Sequence, residues 1–316
     1  MILVACFTPL QVLIAKEVLR REAVNFSDVF FVYFSTVTNE KHQRYYSLLA
    51  DMVGKSLYIN VPYSAKLLII IKRKIASYIY STIYVASIDD SITHYLLSFC
   101  DYEELVTFDD GVGNIIKSGT YFLKAQRTSL KKRLFTIVHT ALGRRYYLDE
   151  VKSNSLRHYT IYDKFDNCFN NPKYIALFEK GKTTNSTQKS VKNIILGTMF
   201  NEITSHDDHF IQQRLLDFME SLVPSPLYIP HPRAKDICFK DYQINTSDIA
   251  EDYVINLLNE GYEVNLYGFA SSSQFNLLSS HNVNIYVFDS EDFKPTMKDA
   301  LNLLNEVLPS GHIIPL

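Results

Sequence analysis

Two short motifs carry the residue types of group-transfer chemistry. The first is Phe108-Asp109-Asp110-Gly111-Val112-Gly113-Asn114, which offers two carboxylates on a turn. The second is Ile229-Pro230-His231-Pro232-Arg233, an imidazole stiffened by proline on both sides. A carboxylate at the end of a β-run is partly desolvated, which raises its pKa and lets it accept a hydroxyl proton. Proline confines the preceding histidine to extended backbone, so the ring is aimed, and it titrates near neutrality. A carboxylate base and a histidine acid, one from each half of the chain, are what a two-domain transfer enzyme needs. Plainer readings stand beside these. Asp109-Asp110-Gly111 also suits a turn with an aspartate cap, or a pair of metal ligands, although no further carboxylate or histidine lies close in sequence. His231 also suits a surface loop. Arg233 suits either an anion contact or a solvated position.

Two weaker motifs lie further along. Ser271, Ser272 and Ser273 open an expected helix, where hydroxyls and free N–H groups suit either a phosphate or ordinary capping. Glu251, in Ala250-Glu251-Asp252-Tyr253, suits either the helix dipole or a ribose diol, since one carboxylate can accept both hydroxyls.

These motifs need rigid elements behind them, and the apolar pattern supplies them. Buried strands are expected over 2–7, 29–34, 57–61, 82–86 and 105–108, with helical stretches between. Thr8-Pro9 reads as a cap followed by proline in the first helical turn. The pattern resumes with strands over 191–196, 226–229, 264–267 and 283–288 and helices over 211–222 and 250–259. Alternation of this kind implies parallel, doubly wound sheets, with ligands beyond the carboxyl ends of the strands. Residues 180–190 contain no apolar side chain and read as a linker. The expected organisation is an N-terminal acceptor-side domain over 1–179, the linker, and a donor-binding domain over 191–316. Two such domains facing a cleft describe the α/β GT-B architecture.

The 316 residues suffice for two cores, being 47% hydrophobic and 21% charged. A net charge of −2 gives no drive toward nucleic acid. The four cysteines are far apart, which fits a reducing compartment. With no signal-peptide pattern and no run of ~20 apolar residues, a cytoplasmic protein is expected. Two basic, apolar segments, Lys66–Ile75 and Arg127–Arg145, suit an anionic membrane surface or two amphipathic helices with solvated faces.

These blocks together resemble the bacterial sialyltransferases of glycosyltransferase family 52, over most of the chain. The blocks that carry the resemblance are Thr8-Pro9-Leu10-Gln11, Tyr84-Val85-Ala86-Ser87, Thr107 to Asn114, His158-Tyr159-Thr160-Ile161, Ile195-Leu196-Gly197, Pro230-His231-Pro232-Arg233 and Glu251-Asp252-Tyr253, in the same order. The resemblance implies a GT-B fold, CMP-sialic acid as donor, a galactose-terminated glycan as acceptor, inversion, and neither cofactor nor metal. It leaves the oligomeric state open, a homodimer included. Gram-negative members carry an N-terminal membrane anchor. This chain starts on a strand, so a soluble enzyme, or one peripheral at the inner membrane face, is expected. Some members place an aspartate base soon after the Leu-Gly block. Here Gly197 is followed by Thr198, Met199, Phe200 and Asn201, and the nearest acid is Glu202. That departure moves the expected base to Asp109, with Asp110 or Glu202 in support and His231 as acid. Gly197, Pro232, Arg233, Glu251, Ser271, Ser272 and Ser273 are then expected on the donor side. Thr8, Gln11 and Asn114 are expected to place sugar groups.

Overall fold

The computed structural model describes residues 1–122, 130–178, 190–205, 208–231 and 239–316. The chain forms two compact units, Met1–Leu177 and Phe178–Leu316. Most of the expected 180–190 linker lies outside the described residues.

The first unit is built on seven strands: β1 (Ile2–Cys6), β2 (Val29–Phe34), β3 (Lys55–Ile59), β4 (Ile79–Val85), β5 (Asp101–Phe108), β6 (Ser155–Thr160) and β7 (Lys173–Tyr174). Their helices are α1 (Pro9–Arg21), α2 (Glu40–Ala50), α3 (Ala65–Ile70, continued as a π turn over Ile71–Ile75), α4 (Ser91–Phe99), α5 (Leu130–Ala141) and α6 (Leu148–Asn154). The sheet is parallel, in the order β3-β2-β1-β4-β5-β6-β7. Its middle strands are buried on both faces, which is why they read as continuous apolar runs. All six residues of β2 are buried. Phe30 and Val32 join one core with Leu3, Ile83 and Leu96. Phe31 and Tyr33 join the opposite core with Val4, Val12 and Val106.

Strand order reverses between β1 and β4, because β2 and β3 build outward on one side and β5 to β7 on the other. Ala5 pairs with Val85, and Val85 with Thr107, so the carboxyl ends of β1, β4 and β5 lie side by side. A crevice at such a reversal is where this fold class places its ligands. Thr8 caps α1 and Pro9 starts it, as their types require.

The second unit has β8 (Val191–Leu196), β9 (Leu227–Ile229), β10 (Glu263–Gly268), β11 (Val283–Asp289) and β12 (Ile313–Pro315), with helices α7 (Phe200–Ile203), α8 (Asp208–Ser221), α9 (Ala250–Asn259), α10 (Ser272–Asn276) and α11 (Pro295–Asn305). The order β12-β11-β10-β8-β9 is again parallel, and it reverses between β8 and β10.

Three strands go beyond the sequence expectation: β6, β7 and β12. β6 reads Ser-Leu-Arg-His-Tyr-Thr, too polar for an apolar run, and the other two span two and three residues. β6 is the strand that matters for the site.

Candidate functional site

Asp109 and Asp110 leave the end of β5 in different surroundings. Asp109 is fully buried, and its backbone N–H still pairs with Tyr159 on β6. Its Oδ1 accepts from His158 Nε2 at 3.0 Å and Asn167 Nδ2 at 3.1 Å. Its Oδ2 accepts from Thr160 Oγ1 at 2.6 Å and the Ile161 N–H at 2.8 Å. Four donors match the roughly four lone-pair sites of a carboxylate, so none is left for a substrate hydroxyl. The neighbouring residues are fixed in turn. His158 stacks on Phe169 with centroids 4.0 Å apart, and its Nδ1 meets Thr107 Oγ1 at 2.9 Å. The ring thus bridges the Asp109 carboxylate and the Thr107 hydroxyl.

Asp110 is only partly buried. Its Oδ1 accepts from Gln11 Nε2, and its Oδ2 from the Tyr121 hydroxyl at 2.9 Å. With the Ser87 hydroxyl as a third donor, one of its four lone-pair sites is left. Burial pushes the Asp110 carboxyl above the usual range, and the charge of Asp89 adds to this, against hydrogen bonds from Tyr121, Gln11 and Ser87. The turn that presents it runs through Gly111 at φ +89°, a left-handed conformation that suits glycine. Asn114 closes the turn by accepting the Asp110 N–H at 2.9 Å.

The expectation that Asp109 is the available base therefore needs correcting on geometry. Asp109 is sealed by β6 and the loop after it, while Asp110 has three donors and keeps one lone-pair site. Asn114 was expected to place a sugar. It is wholly buried, and its carboxamide is used on the turn and on Cys168 Sγ at 3.6 Å. Gln11 was expected in the same role. It is also wholly buried, and instead orients Asp110, with its Oε1 on the Phe7 N–H at 2.7 Å and its Nε2 shared with Ser87 Oγ at 2.9 Å. Thr8 is exposed and caps α1. The sequence reading did not single out Tyr121, Asp89, Asn167 or Thr160 as site residues. Only the His158–Ile161 block carried a signal for part of this set.

In the second unit Gly197, His231 and Ser271 follow the ends of β8, β9 and β10. Gly197 ends β8 and donates its N–H to Ile229 O at 2.8 Å. A Cβ there would lie 2.3 Å from the Tyr228 hydroxyl and 2.9 Å from the His231 backbone nitrogen. Any other residue would push the β9 turn away, so Gly197 sets where His231 sits. His231 follows directly, partly buried, while Pro232 and Arg233 lie outside the described residues. Glu251 is buried in the first turn of α9 and accepts from Asn276 Nδ2 at 2.7 Å and from Ser273. Burial raises its carboxyl pKa. Ser271 caps α10, and its N–H donates to Gln274 Oε1 at 3.1 Å, while Ser272 and Ser273 form the first turn. Helix α10 has only five residues, so any anion contact here would rest on hydroxyls and amides more than on a helix dipole. Glu202 is exposed on α7, and its carbonyl accepts from Lys294 Nζ at 3.1 Å.

Three histidines that lack flanking proline, His94, His139 and His206, are expected from sequence to be neutral to substitution; His206 lies outside the described residues, and the other two are buried. The structure corrects the expectation for these two. His94 is buried, donates from Nε2 to Ile88 O at 2.7 Å and accepts from Arg144 at Nδ1. Burial and Arg144 push its pKa down to about 4, so the ring is neutral. His139 is buried against the Tyr95 hydroxyl at 2.8 Å. Among the described residues there is no group of three His, Cys, Asp or Glu side chains placed to hold a metal ion. No helix among them is long and apolar enough to cross a membrane.

The model of glycosyltransferase family 52 matches residues 27–292. The CMP-N-acetylneuraminate:beta-galactoside alpha-2,3-sialyltransferase of Pasteurella multocida is 27% identical over 313 residues, 96% of each chain. The N-acetyllactosaminide alpha-2,3-sialyltransferase of Haemophilus influenzae is 28% identical over 296 residues, 90% of each chain. The enzyme of the same name from Neisseria meningitidis is 23% identical over 303 residues, 90% of this chain and 77% of that one. Among solved structures, a putative UDP-N-acetylglucosamine 2-epimerase from Listeria monocytogenes superposes with a TM-score of 0.52 at 9% identity, over 96% of this chain and 87% of that one. That likeness shows the fold, two α/β units of the GT-B type.

Proposed function

Since the chain belongs to glycosyltransferase family 52, we propose that it is an inverting sialyltransferase moving sialic acid from CMP-sialic acid to a terminal β-galactose of a surface glycan, in α-2,3 linkage. The observation that carries this reading is similarity over nearly the whole chain to enzymes named for that reaction.

In this reading Asp110 takes the proton of the acceptor hydroxyl as its oxygen bonds to the anomeric carbon. The bond from that carbon to the phosphate oxygen breaks, through an oxocarbenium-like state as at other glycosyl centres. His231 gives a proton to the departing CMP phosphate. The hydroxyls of Ser271, Ser272 and Ser273 belong to its binding turn, with Pro232 and Arg233 assigned to the same side from sequence. Glu251 has three donors in place, its own N–H, Asn276 and Ser273, and one lone-pair site left for a ribose hydroxyl. A monophosphate carries less charge than a diphosphate, so hydroxyls, amides and imidazole serve where other transferases use a metal. Asp109 stays buried and holds the turn.

The test is a screen of CMP-, UDP- and GDP-sugars with a β-galactoside acceptor, with and without EDTA. CMP release and transfer from CMP-sialic acid, unchanged by EDTA, are expected. Turnover of a UDP-sugar that needs manganese would overturn the reading.

A peripheral seat on an anionic membrane fits the same role. Lys66, Ile69, Lys72, Arg73 and Lys74 are exposed on α3 and its π turn, and Ile137 and Val138 on α5. Tyr63, just before α3, stacks on His139 of α5 with centroids 6.2 Å apart, tying the two stretches together. The side chains of Lys131, Lys132 and Arg133 lie outside the described residues. Each basic group near an anionic leaflet contributes about 1 kcal/mol. Changing Lys72, Arg73 and Lys74 to glutamine should weaken binding to phosphatidylglycerol vesicles at least tenfold at low salt, without altering transfer to a soluble acceptor. Wild-type protein that ignores such vesicles at low salt would rule the seat out.

A further inference from the structure

The segment Gly119–Phe122 crosses between two carboxylates. The Tyr121 hydroxyl donates to Asp110 Oδ2 at 2.9 Å, and Thr120 Oγ1 donates to Asp89 Oδ2 at 3.0 Å. Asp89 sits in the loop after β4 and also lies within hydrogen-bonding reach of the Tyr121 hydroxyl. Tyr121 is almost fully buried, its ring packs on Gly113, and its carbonyl takes Lys152 Nζ at 3.0 Å. The hydroxyl therefore has a fixed position between the two acids. The loop that carries Asp89 is fixed as well. Its neighbour Asp90 caps α4 through the Ile92 N–H at 2.6 Å, and His94 of α4 binds back to Ile88 O.

We propose that Tyr121 and Asp89 are positioning residues for the acceptor-side base: Tyr121 holds one edge of the Asp110 carboxylate, and Asp89 anchors the Tyr121 segment through the Thr120 hydroxyl and faces Asp110 with a like charge. This rests on the reading of Asp110 as the base. It goes further by giving Asp110 a built-in tuner.

The two residues act on the Asp110 proton in opposite directions. A hydrogen bond from Tyr121 favours the charged carboxylate, whereas the charge of Asp89 disfavours it. The other groups facing Asp110 change neither sign. Cys6, at the end of β1, is a buried thiol pushed well above its usual range and so stays neutral, and Gln11 and Ser87 are uncharged. Asp109 is occupied by its own four donors. Lys152 contacts the carbonyl of Tyr121, not its hydroxyl. Asp89 is exposed, so its influence is screened by salt.

The test is the pH dependence of kcat/KM for transfer from CMP-sialic acid to a β-galactoside, in Tyr121→Phe, Asp89→Asn and Asp110→Asn. A base works only when deprotonated, so activity falls on the acid side of its pKa. Tyr121→Phe should move the acid limb up by about one pH unit. Asp89→Asn should move it down by a smaller amount that shrinks as salt is raised from 0.01 M to 0.5 M. A merely structural role for either residue would lower activity with no displacement of the limb, or with displacements of the same sign. Either result overturns the proposal while Asp110→Asn remains inactive. If Asp110→Asn keeps full turnover, the assignment of the base itself has failed.

Discussion

Asp110→Asn is expected to lower kcat by ~10²–10⁴-fold, the range general-base groups contribute, while the thermal midpoint holds or rises. The two halves of this prediction share a cause. The folded-state pKa of Asp110 is raised above its unfolded value, mainly by burial. The folded state therefore binds more protons than the unfolded one, and stability from this group falls as pH rises through that range. A neutral asparagine at pH 7 removes that destabilisation, and its remaining oxygen can still accept from Gln11 or Tyr121. Asp109→Asn should behave differently. An amide nitrogen would face either His158 and Asn167 or Thr160 and Ile161, leaving donors unpaired in a dry site. Each such group costs about 1–3 kcal/mol, and each kcal/mol moves the midpoint of a unit this size by about 2–4 °C. Activity would fall with the turn it holds. Calorimetry beside initial rates separates the two variants. An Asp110→Asn enzyme at wild-type turnover, with Asp109→Asn folded but inactive, would return the base to Asp109.

His231→Ala should lower turnover by a similar ~10²–10⁴-fold and weaken CMP binding about tenfold, since hydrogen bonds to charged groups are worth ~1.5–3 kcal/mol. Loss of both together is the signature of a side chain on the leaving phosphate. Asp110→Asn, acting on the acceptor, should leave CMP affinity unchanged. His281, exposed beyond α10, is the suitable control at wild-type rates. His94 and His139 are unsuitable, because both are buried and hydrogen-bonded. Titration calorimetry with CMP checks the prediction. Normal CMP affinity and turnover in the alanine variant would remove His231 from the donor side.

Much of the frame follows from local pattern. Continuous apolar runs such as Val29–Phe34 can be buried only on both faces of a sheet, so they announce parallel strands. Thr8-Pro9 announces a helix start because its capping chemistry is local. His231 is flagged by the prolines beside it, and Gly197 by its place at a strand end. The division of labour between Asp109 and Asp110 could not be read this way. It depends on β6, a strand whose polar residues look unstrandlike because His158 and Thr160 supply the donors that seal Asp109. Asn167 joins from 58 residues away, and Gln11 reaches Asp110 across 99. Two adjacent aspartates have the same chemistry in sequence. Only the tertiary structure decides which one has all its lone pairs filled and which keeps one, because hydrogen-bond saturation is set by neighbours distant along the chain.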